Sequence, residues 1–134
     1  MKDKRESQIK VMLCSCKDCS NPNNFFEDLL KLGNDLKDNK KIDVSERFTM
    51  AISSKERLII INALEKQDRC VCELEAILNK SQSTISHHLR KLVAAGLIHG
   101  YKKQKFTYYH LFREELQQNL EILNEILSFK MSNV

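Results

Sequence analysis

Apolar residues recur at helical spacing along much of this 134-residue chain. An apolar stripe predicts a first helix, capped by Asn23 or Asn24 and broken after about residue 37. The stripe consists of Phe25, Leu29, Leu32 and Leu36. A short helix is predicted over 44–52, and a third over 54–66, with Ser53 as its N-cap and Glu56 at the capping-box position. The third is heavily apolar, so we expect it at the centre of the core, through Leu58, Ile59, Ile61, Ala63 and Leu64.

Two shorter helices follow, over 71–78 and 82–95, joined by a polar three-residue turn whose Ser81 caps the second helix. Apolar residues of the second helix share one face, and polar residues share another at steps of three and four. The apolar set is Ile85, Leu89 and Leu92, and the polar set is Ser83, Ser86, His87 and Arg90. This arrangement predicts a helix-turn-helix that ends at Gly96.

Two segments rich in aromatic and apolar residues, 97–101 and 106–111, read as strands joined by a basic hairpin tip over 102–105. They predict a β-wing. In the final helix, over 113–129, leucines alternate steps of four and three, which is typical of a helix that packs on another helix. These leucines are Leu116, Leu120, Leu123 and Leu127. The predicted fold is mainly α with a small β-hairpin, a winged helix-turn-helix.

The chain is expected to divide into an irregular, flexible, cysteine-bearing arm over 1–22 and a DNA-binding and dimerisation domain over 23–134. Only 3 Gly and 1 Pro agree with a mostly helical protein. No apolar run approaches the ~20 residues of a membrane span, and no apolar segment follows the polar N-terminus. We therefore expect a cytoplasmic protein with no membrane partner.

The distribution of charge is more informative than the net charge of +4. Residues 76–113 contain no Asp or Glu but hold all 4 histidines and seven Lys or Arg residues. Such a window attracts polyanions, although a solvated surface can also lack acids by chance. The helix-turn-helix beneath these charges favours a double-stranded DNA operator as the partner.

Residue types suggest how the DNA would be held, since polar residues at the start of a recognition helix reach base edges. We expect base contacts from Gln82, Ser83, Ser86 and His87, and phosphate contacts from Thr84 and Arg90. The wing lysines, Lys102, Lys103 and Lys105, are expected to follow the DNA backbone or minor groove. Gln104 stands at the wing tip, where a glycine would ease a tight turn.

Thiols provide the candidate chemistry of a sensor. Cys70 and Cys72 lie at the start of the first helix of the pair, where the helix dipole favours thiolates. Trivalent arsenic takes three thiolates, and cadmium, lead or zinc usually takes three or four ligands. The missing ligands are expected from the arm, which carries Cys14, Cys16 and Cys19. Alternatively, Cys70 is a small buried hydrophobe and the arm cysteines are idle or scavenge metal.

Residues 45–111 resemble the winged-helix repressors of the ArsR/SmtB family of metal sensors. The segments that carry the resemblance are 53–58, Val71-Cys72-Glu73-Leu74, 81–89, Gly96-Leu97-Ile98 and Tyr108-Tyr109. The resemblance implies a homodimer that represses a resistance or efflux operon and leaves DNA when metal binds. In its cadmium- and lead-sensing branch, an N-terminal cysteine arm reaches the cysteine pair, often on the other subunit. In some arsenic-sensing members a third cysteine follows within the helix, where this chain has Glu75.

The expected function is therefore a repressor released from its operator when Cd²⁺, Pb²⁺ or As(III) binds cysteine thiolates, with Zn²⁺ as a further candidate. The alternative is a redox- or sulfide-responsive repressor on the same fold, in which Cys70 or Cys72 pairs with an arm cysteine. The sequence has no cofactor loop, no Cys-x-x-Cys beside a βαβ pattern and no nucleophile with an evident base. We expect neither an enzyme nor a small-molecule substrate.

Overall fold

The computed structural model describes residues 2–16 and 21–128, which form two compact units, Met1–Lys40 and Lys41–Val134. The first unit consists of α1 (Lys2–Cys16) and α2 (Pro22–Lys37), which pack on each other. At their contact the Lys10 ammonium lies 5.1 Å from the centre of the buried Phe26 ring. The N-cap of α2 is Asn21, whose side chain accepts a hydrogen bond from the backbone N–H of Asn24.

The expectation of irregular structure before residue 22 is wrong for the segment that forms α1. This segment contains neither Gly nor Pro, and Glu6 pairs with Lys10 one turn later at 3.1 Å. Both features support a helix. Whether residues 1–22 act as a flexible arm, separate from 23–134, stays a prediction.

Five more helices lie in the second unit, apart from Lys40 at the start of the first of them: α3 (Lys40–Ile52), α4 (Lys55–Lys66), α5 (Val71–Leu78), α6 (Gln82–Ala94) and α7 (Arg113–Leu127). All five were predicted, and α3 begins four residues earlier than expected. The N-cap of α4 is Ser54 rather than Ser53, because the Ser54 hydroxyl accepts the backbone N–H of Arg57 at 3.3 Å.

Three strands form one antiparallel sheet in the order β1-β3-β2, with β1 (Arg69–Cys70), β2 (Ile98–Lys103) and β3 (Phe106–Leu111). The β2–β3 hairpin is the predicted wing. The strand β3 has the expected bounds, whereas β2 extends two residues further than expected, so that only Gln104 and Lys105 form the loop. Gln104 adopts a left-handed backbone with φ of +58°. The strand β1 was not predicted, since two residues are too few to reveal a period.

The core lies between α4, α5, α6 and the base of the wing, and its fully buried side chains are Ile60, Leu64, Leu74, Ile85, Leu89, Leu92, Leu97, Ile98 and Leu111. The inner face of α6 is the predicted one. In α4 the buried positions are Arg57, Ile60, Ile61 and Leu64. Leu58 was expected inside but is 46% exposed, because it lies off this face. None of the helices within 2–16 and 21–128 is both long and apolar enough to cross a membrane.

Two of the four predicted leucines of α7, Leu116 and Leu123, pack against this core. The other two, Leu120 and Leu127, are 43% and 61% exposed. The helix therefore presents apolar side chains both to the core and away from it.

Candidate DNA interface and thiol pair

Local hydrogen bonds hold the start of α6 in place. The Ser81 hydroxyl accepts the backbone N–H of Thr84 at 3.3 Å, as its predicted role as N-cap requires. The same oxygen lies 3.1 Å from the Ser83 hydroxyl and 3.0 Å from the Thr84 hydroxyl. On the other side of the turn, Asn79 ends α5 in a left-handed conformation with φ of +51°. The turn between the two helices is therefore defined by its own side chains.

The predicted DNA-contacting residues of α6 all lie away from its buried face. Gln82, Ser83, His87 and Arg90 are exposed, and Thr84 and Ser86 are half-buried. The predicted wing residues Lys102, Lys103 and Lys105 are exposed as well. This surface combines hydrogen-bonding side chains with positive charge, the two properties that a DNA-reading helix and its wing need.

A groove of about 630 Å³ separates the C-terminal half of α6 from the wing. Arg90 contributes to its wall from the helix, and Lys102 contributes from β2. Tyr109 and Thr107 line the groove from β3. Two cations thus line one concave surface, which suits the passage of a phosphate backbone.

A buried cation supports α6 from behind, and sequence reasoning did not identify it. Arg57 is only 7% exposed. Its guanidinium donates to the backbone carbonyls of Ala51 and Met50 in the last turn of α3, and its Nη1 lies 3.0 Å from Nδ1 of His88. Arg57 precedes Ile60, Ile61 and Leu64 by three, four and seven residues, which is the spacing of one helix face. This spacing could have placed it on the buried face of α4.

His88 is half-buried on α6, and its pKa is lowered first by burial and then by the charge of Arg57. A neutral imidazole can accept the hydrogen bond from Arg57 at Nδ1, whereas an imidazolium cannot. The contact between the two side chains therefore depends on His88 remaining unprotonated.

The predicted thiol pair forms a compact group at the junction of β1 and α5. The sulfurs of Cys70 and Cys72 are 2.9 Å apart. Cys70 is buried and Cys72 is exposed. Glu73 accepts a hydrogen bond from the backbone N–H of Cys70 at 3.2 Å, and its Oε1 lies 3.3 Å from the Cys70 sulfur.

Burial outweighs the expected effect of the helix start at Cys70, where the backbone N–H of Glu73 acts to lower the pKa of the thiol. Burial raises the pKa of the Cys70 thiol, and its side-chain hydrogen bonds with Cys72 and Glu73 raise it further. Burying a thiolate costs more free energy than the N-terminus of a short helix contributes to its stabilisation. The Glu73 carboxylate adds negative charge beside it. Loss of the Cys70 proton, which a metal–sulfur bond requires, is therefore less favourable than in an exposed cysteine.

Two sulfurs are fewer donors than a soft metal ion needs. Within residues 2–16 and 21–128, no three His, Cys, Asp or Glu residues are grouped as a metal site. In the first unit Cys14 is exposed. The side chain of Cys16 and the whole of Cys19 lie outside the described residues, so the arm cysteines stay predicted ligands.

A second hydrogen-bonded group lies at the base of the wing. The Asp68 carboxylate accepts a hydrogen bond from the Tyr101 hydroxyl at 2.6 Å and lies 2.8 Å from Nδ1 of His110. Burial acts to raise the pKa of Asp68, but the hydrogen bonds from Tyr101 and His110 outweigh it and lower the pKa below its usual value. His110 is thus paired with Asp68, and the His99 ring stacks on Phe112 with 4.6 Å between centroids.

Comparison with known proteins decides the family. Residues 54–99 match the model of the bacterial regulatory protein family arsR. The arsenical resistance operon repressor of Staphylococcus xylosus is 34% identical over 76 residues, which cover 54% of this chain and 73% of that protein. The chain belongs to the ArsR family. ArsR-family proteins are DNA-binding transcription regulators and not enzymes, as the sequence led us to expect.

Other ArsR-family proteins match comparable shares of the chain. The cadmium resistance transcriptional regulatory protein CadC of Listeria innocua serovar 6a (strain ATCC BAA-680 / CLIP 11262) is 36% identical over 78 residues, 58% of this chain and 60% of CadC. The chain therefore matches less than two thirds of that relative's length. The crystal structure of a possible transcriptional regulator for arsenical resistance superposes with a TM-score of 0.54 at 30% identity, covering 57% of this chain and 80% of that one. The winged helix-turn-helix fold of the ArsR family is thus confirmed.

Proposed function

We propose that this ArsR-family protein is a homodimeric, cytoplasmic repressor that leaves its DNA operator when a soft metal or metalloid ion binds cysteine thiolates. The observation that carries the proposal is the pair of adjacent sulfurs, 2.9 Å apart, on the helix immediately before the DNA-reading helix. A sensor at this position is directly connected to the element that it would have to move.

For DNA binding, the proposal assigns base edges to Gln82, Ser83, Ser86 and His87 and phosphates to Thr84, Arg90 and the three wing lysines. Two observations support this assignment: most of these side chains are exposed, and both Arg90 and Lys102 line the groove between α6 and the wing. Two recognition helices would read half-sites about 34–36 Å apart, one turn of the DNA.

Apolar side chains left in water support the homodimer. In α2, Leu29, Leu32 and Leu36 are 40–53% exposed, and in α7 Leu120 and Leu127 are exposed as well. Helices that carry such series usually cover them with another chain. The proposal therefore assigns dimerisation to these N- and C-terminal helices.

The proposed inducer is Cd²⁺, Pb²⁺ or As(III), with Zn²⁺ as a further candidate. Thiolates are soft donors that select these ions, and two relatives are named for cadmium and arsenical resistance. Cys70 and Cys72 would supply two ligands. Cys14, Cys16 and Cys19 of the same or the partner subunit would supply the remaining ones.

A redox- or sulfide-responsive repressor is the second candidate, favoured by the exposure of Cys72, whose sulfur lies 2.9 Å from that of Cys70. In this case Cys70 or Cys72 and an arm cysteine lose two protons and two electrons to a peroxide or polysulfide and form a disulfide. Oxidation, rather than metal binding, would then release the DNA.

The test begins with a labelled operator duplex selected from a random library. Fluorescence anisotropy follows release from DNA while ultraviolet absorption follows metal–thiolate bonds, during titration with Cd²⁺, Pb²⁺, Zn²⁺ and arsenite. The wild-type protein should be released as the absorption band grows, whereas Cys72→Ser should bind DNA normally and stay bound. Release of Cys72→Ser at the wild-type Cd²⁺ concentration would refute the metal hypothesis. Release by peroxide or polysulfide alone, without response to any metal, would favour the redox candidate.

A further inference from the structure

The short strand β1 connects the thiol pair to the wing. Cys70 is both the last residue of β1 and the N-cap of α5. In the sheet Arg69 pairs with Tyr109 and Cys70 pairs with Tyr108, and both partners belong to wing strand β3. Directly opposite residues of an antiparallel pair share a face, so the Cys70 side chain lies on the same face of the sheet as that of Tyr108.

Asp68 strengthens this connection from a position two residues before Cys70. One carboxylate oxygen accepts the Tyr101 hydroxyl of β2 at 2.6 Å, and the other lies 2.8 Å from Nδ1 of His110 on β3. A carboxylate only accepts hydrogen bonds, so Nδ1 of His110 carries the proton. A single side chain thus connects both wing strands to the segment that leads into the thiols.

We propose that Asp68 is the positioning residue through which a ligand bound at Cys70 and Cys72 changes the position of the wing relative to DNA. This inference rests on the proposed function and names its regulatory route. It adds a path through the sheet to any effect transmitted by packing between α5 and α6.

The surroundings of Cys70 indicate why a bound ligand would displace this segment. The Cys70 sulfur is buried and contacts Glu73, whose carboxylate also holds the Cys70 backbone N–H. An ion shared by Cys70 and the exposed Cys72 replaces the Cys70 proton, and we expect the resulting thiolate to move away from the Glu73 carboxylate because the two negative groups repel each other. Since β1 has only two residues, few backbone hydrogen bonds hold it in place. A displacement of Cys70 should therefore also displace Asp68.

Beyond Asp68 the path continues to the basic part of the wing. Tyr101 directly precedes Lys102 and Lys103, and its ring stacks on Tyr108 with 6.0 Å between centroids. The Lys103 ammonium lies 5.6 Å from the centre of the Tyr108 ring. A shift of Tyr101 and Tyr108 would therefore move lysines that the proposal places on DNA phosphates.

The test compares full-length wild-type protein with Asp68→Ala and with Tyr101→Phe, which removes only one of the two hydrogen bonds. Asp43→Asn, an exposed acid on α3, is the matched control. Three quantities are measured: operator affinity without metal, Cd²⁺ affinity from thiolate absorption, and operator affinity with saturating Cd²⁺. Amide signals of residues 102–105 are followed by NMR, free of DNA, with and without Cd²⁺.

Allosteric coupling commonly changes affinity about 5–150-fold, so the wild-type ratio of operator affinities should lie in this range. Asp68→Ala should bind Cd²⁺ like the wild type but lose most of this ratio, and the Cd²⁺-induced shifts of the wing amides should disappear. In Tyr101→Phe the ratio of operator affinities should be partly reduced, and in Asp43→Asn it should equal that of the wild type. If the wild type responds to Cd²⁺ and both variants keep the full ratio and the wing shifts, the inference is overturned but the proposed function stands. If Cd²⁺ binds the wild type without releasing DNA, the metal-release function fails and the inference fails with it.

Discussion

The guanidinium of Arg57 lies 3.0 Å from the imidazole Nδ1 of His88 and so joins the end of α3 to α6, the proposed DNA-reading helix. The same guanidinium donates to the carbonyls of Met50 and Ala51. These carbonyls lie at the negative end of the α3 dipole, which stabilises a cation there. A buried charge with several hydrogen-bond acceptors is thus part of the structure that orients the recognition surface.

Replacing Arg57 should destabilise the fold strongly. Arg57→Ala leaves two buried carbonyls and the His88 nitrogen without their donor, and we expect a loss of about 2–4 kcal/mol in the free energy of unfolding. Arg57→Lys keeps the charge, so its loss in the free energy of unfolding should be smaller than that of Arg57→Ala. It should still be less stable than the wild type, because it lacks the planar fork that reaches all three acceptors. Urea unfolding followed by circular dichroism measures both. The exposed Arg47 of α3 is the matched control, and Arg47→Ala should cost less than ~0.5 kcal/mol. Equal losses at the two positions would contradict this role of Arg57.

The stability of the protein should fall on mild acidification because of His88. Its pKa is lowered in the folded state by burial, then by Arg57, with smaller effects from His87 and Lys91 and an opposing one from Glu56. Between the lowered pKa and about 6.5, the usual value, the unfolded chain binds more protons than the folded one. The free energy of unfolding therefore decreases as the pH falls below about 6.5 and levels off beneath the folded-state pKa.

His88→Gln should flatten this pH dependence, since the glutamine oxygen can accept from Arg57 without titrating. Urea unfolding between about pH 5 and 7.5 tests the slope. The exposed neighbour His87 offers the control, and His87→Gln should change the slope much less, because burial and Arg57 lower the pKa of His88 more than His87 does. A slope in His88→Gln as steep as in the wild type would assign the pH dependence to other groups.

The wing tip should become more stable when its strain is relieved. Gln104 has a φ of +58°, which a glycine adopts without a steric penalty. Gln104→Gly should therefore raise the free energy of unfolding, by up to ~1 kcal/mol, and the thermal midpoint with it. Calorimetry measures this. Lys105→Gly, at the other loop position, serves as the comparison because Lys105 has no positive φ, and it should not stabilise the protein.

The DNA-reading surface should lose its function without losing its fold. Ser86→Ala combined with His87→Ala removes hydrogen-bonding groups from the outward face of α6 and should abolish specific operator binding in a gel-shift titration. The far-ultraviolet spectrum and unfolding midpoint should remain close to wild type, since neither residue is part of the core. Undiminished operator affinity in this double variant would rule out the assignment. For contrast, Lys103→Ala should weaken binding to all DNA duplexes alike. It should also reduce, by about one, the slope of the logarithm of the binding constant against the logarithm of the salt concentration.

The sequence predicted those parts of the fold that depend on local patterns. The two faces of α6, the Ser81 cap and the pairing of two aromatic strands each arise from residues close together in the chain. For the same reason the proposed DNA surface could be outlined before the structure was known. The helix α1 was missed because its sequence shows no apolar stripe, although it contains no residue that breaks a helix.

Contacts between distant residues could not be predicted in this way. Asp68 bonds to Tyr101 and His110, which lie 33 and 42 positions further along the chain. Arg57 and His88 are 31 positions apart. The spacing of Cys70 and Cys72 could be read from the sequence, but the raised pKa of the Cys70 thiol depends first on burial, which its neighbours in sequence do not determine.

The two-residue length of β1 has a consequence for engineering new sensors from this module. Cys70 lies opposite Tyr108 in the sheet and Asp68 contacts His110, so the step of two residues from Asp68 to Cys70 matches the step from Tyr108 to His110. Successive side chains of a strand point to opposite faces, so this equal spacing matches Asp68 and Cys70 to one face of β3. A graft that exchanges the thiols for another ligand-binding motif must keep this spacing. An insertion of a single residue would turn the binding motif to the other side of the sheet and disconnect it from the wing.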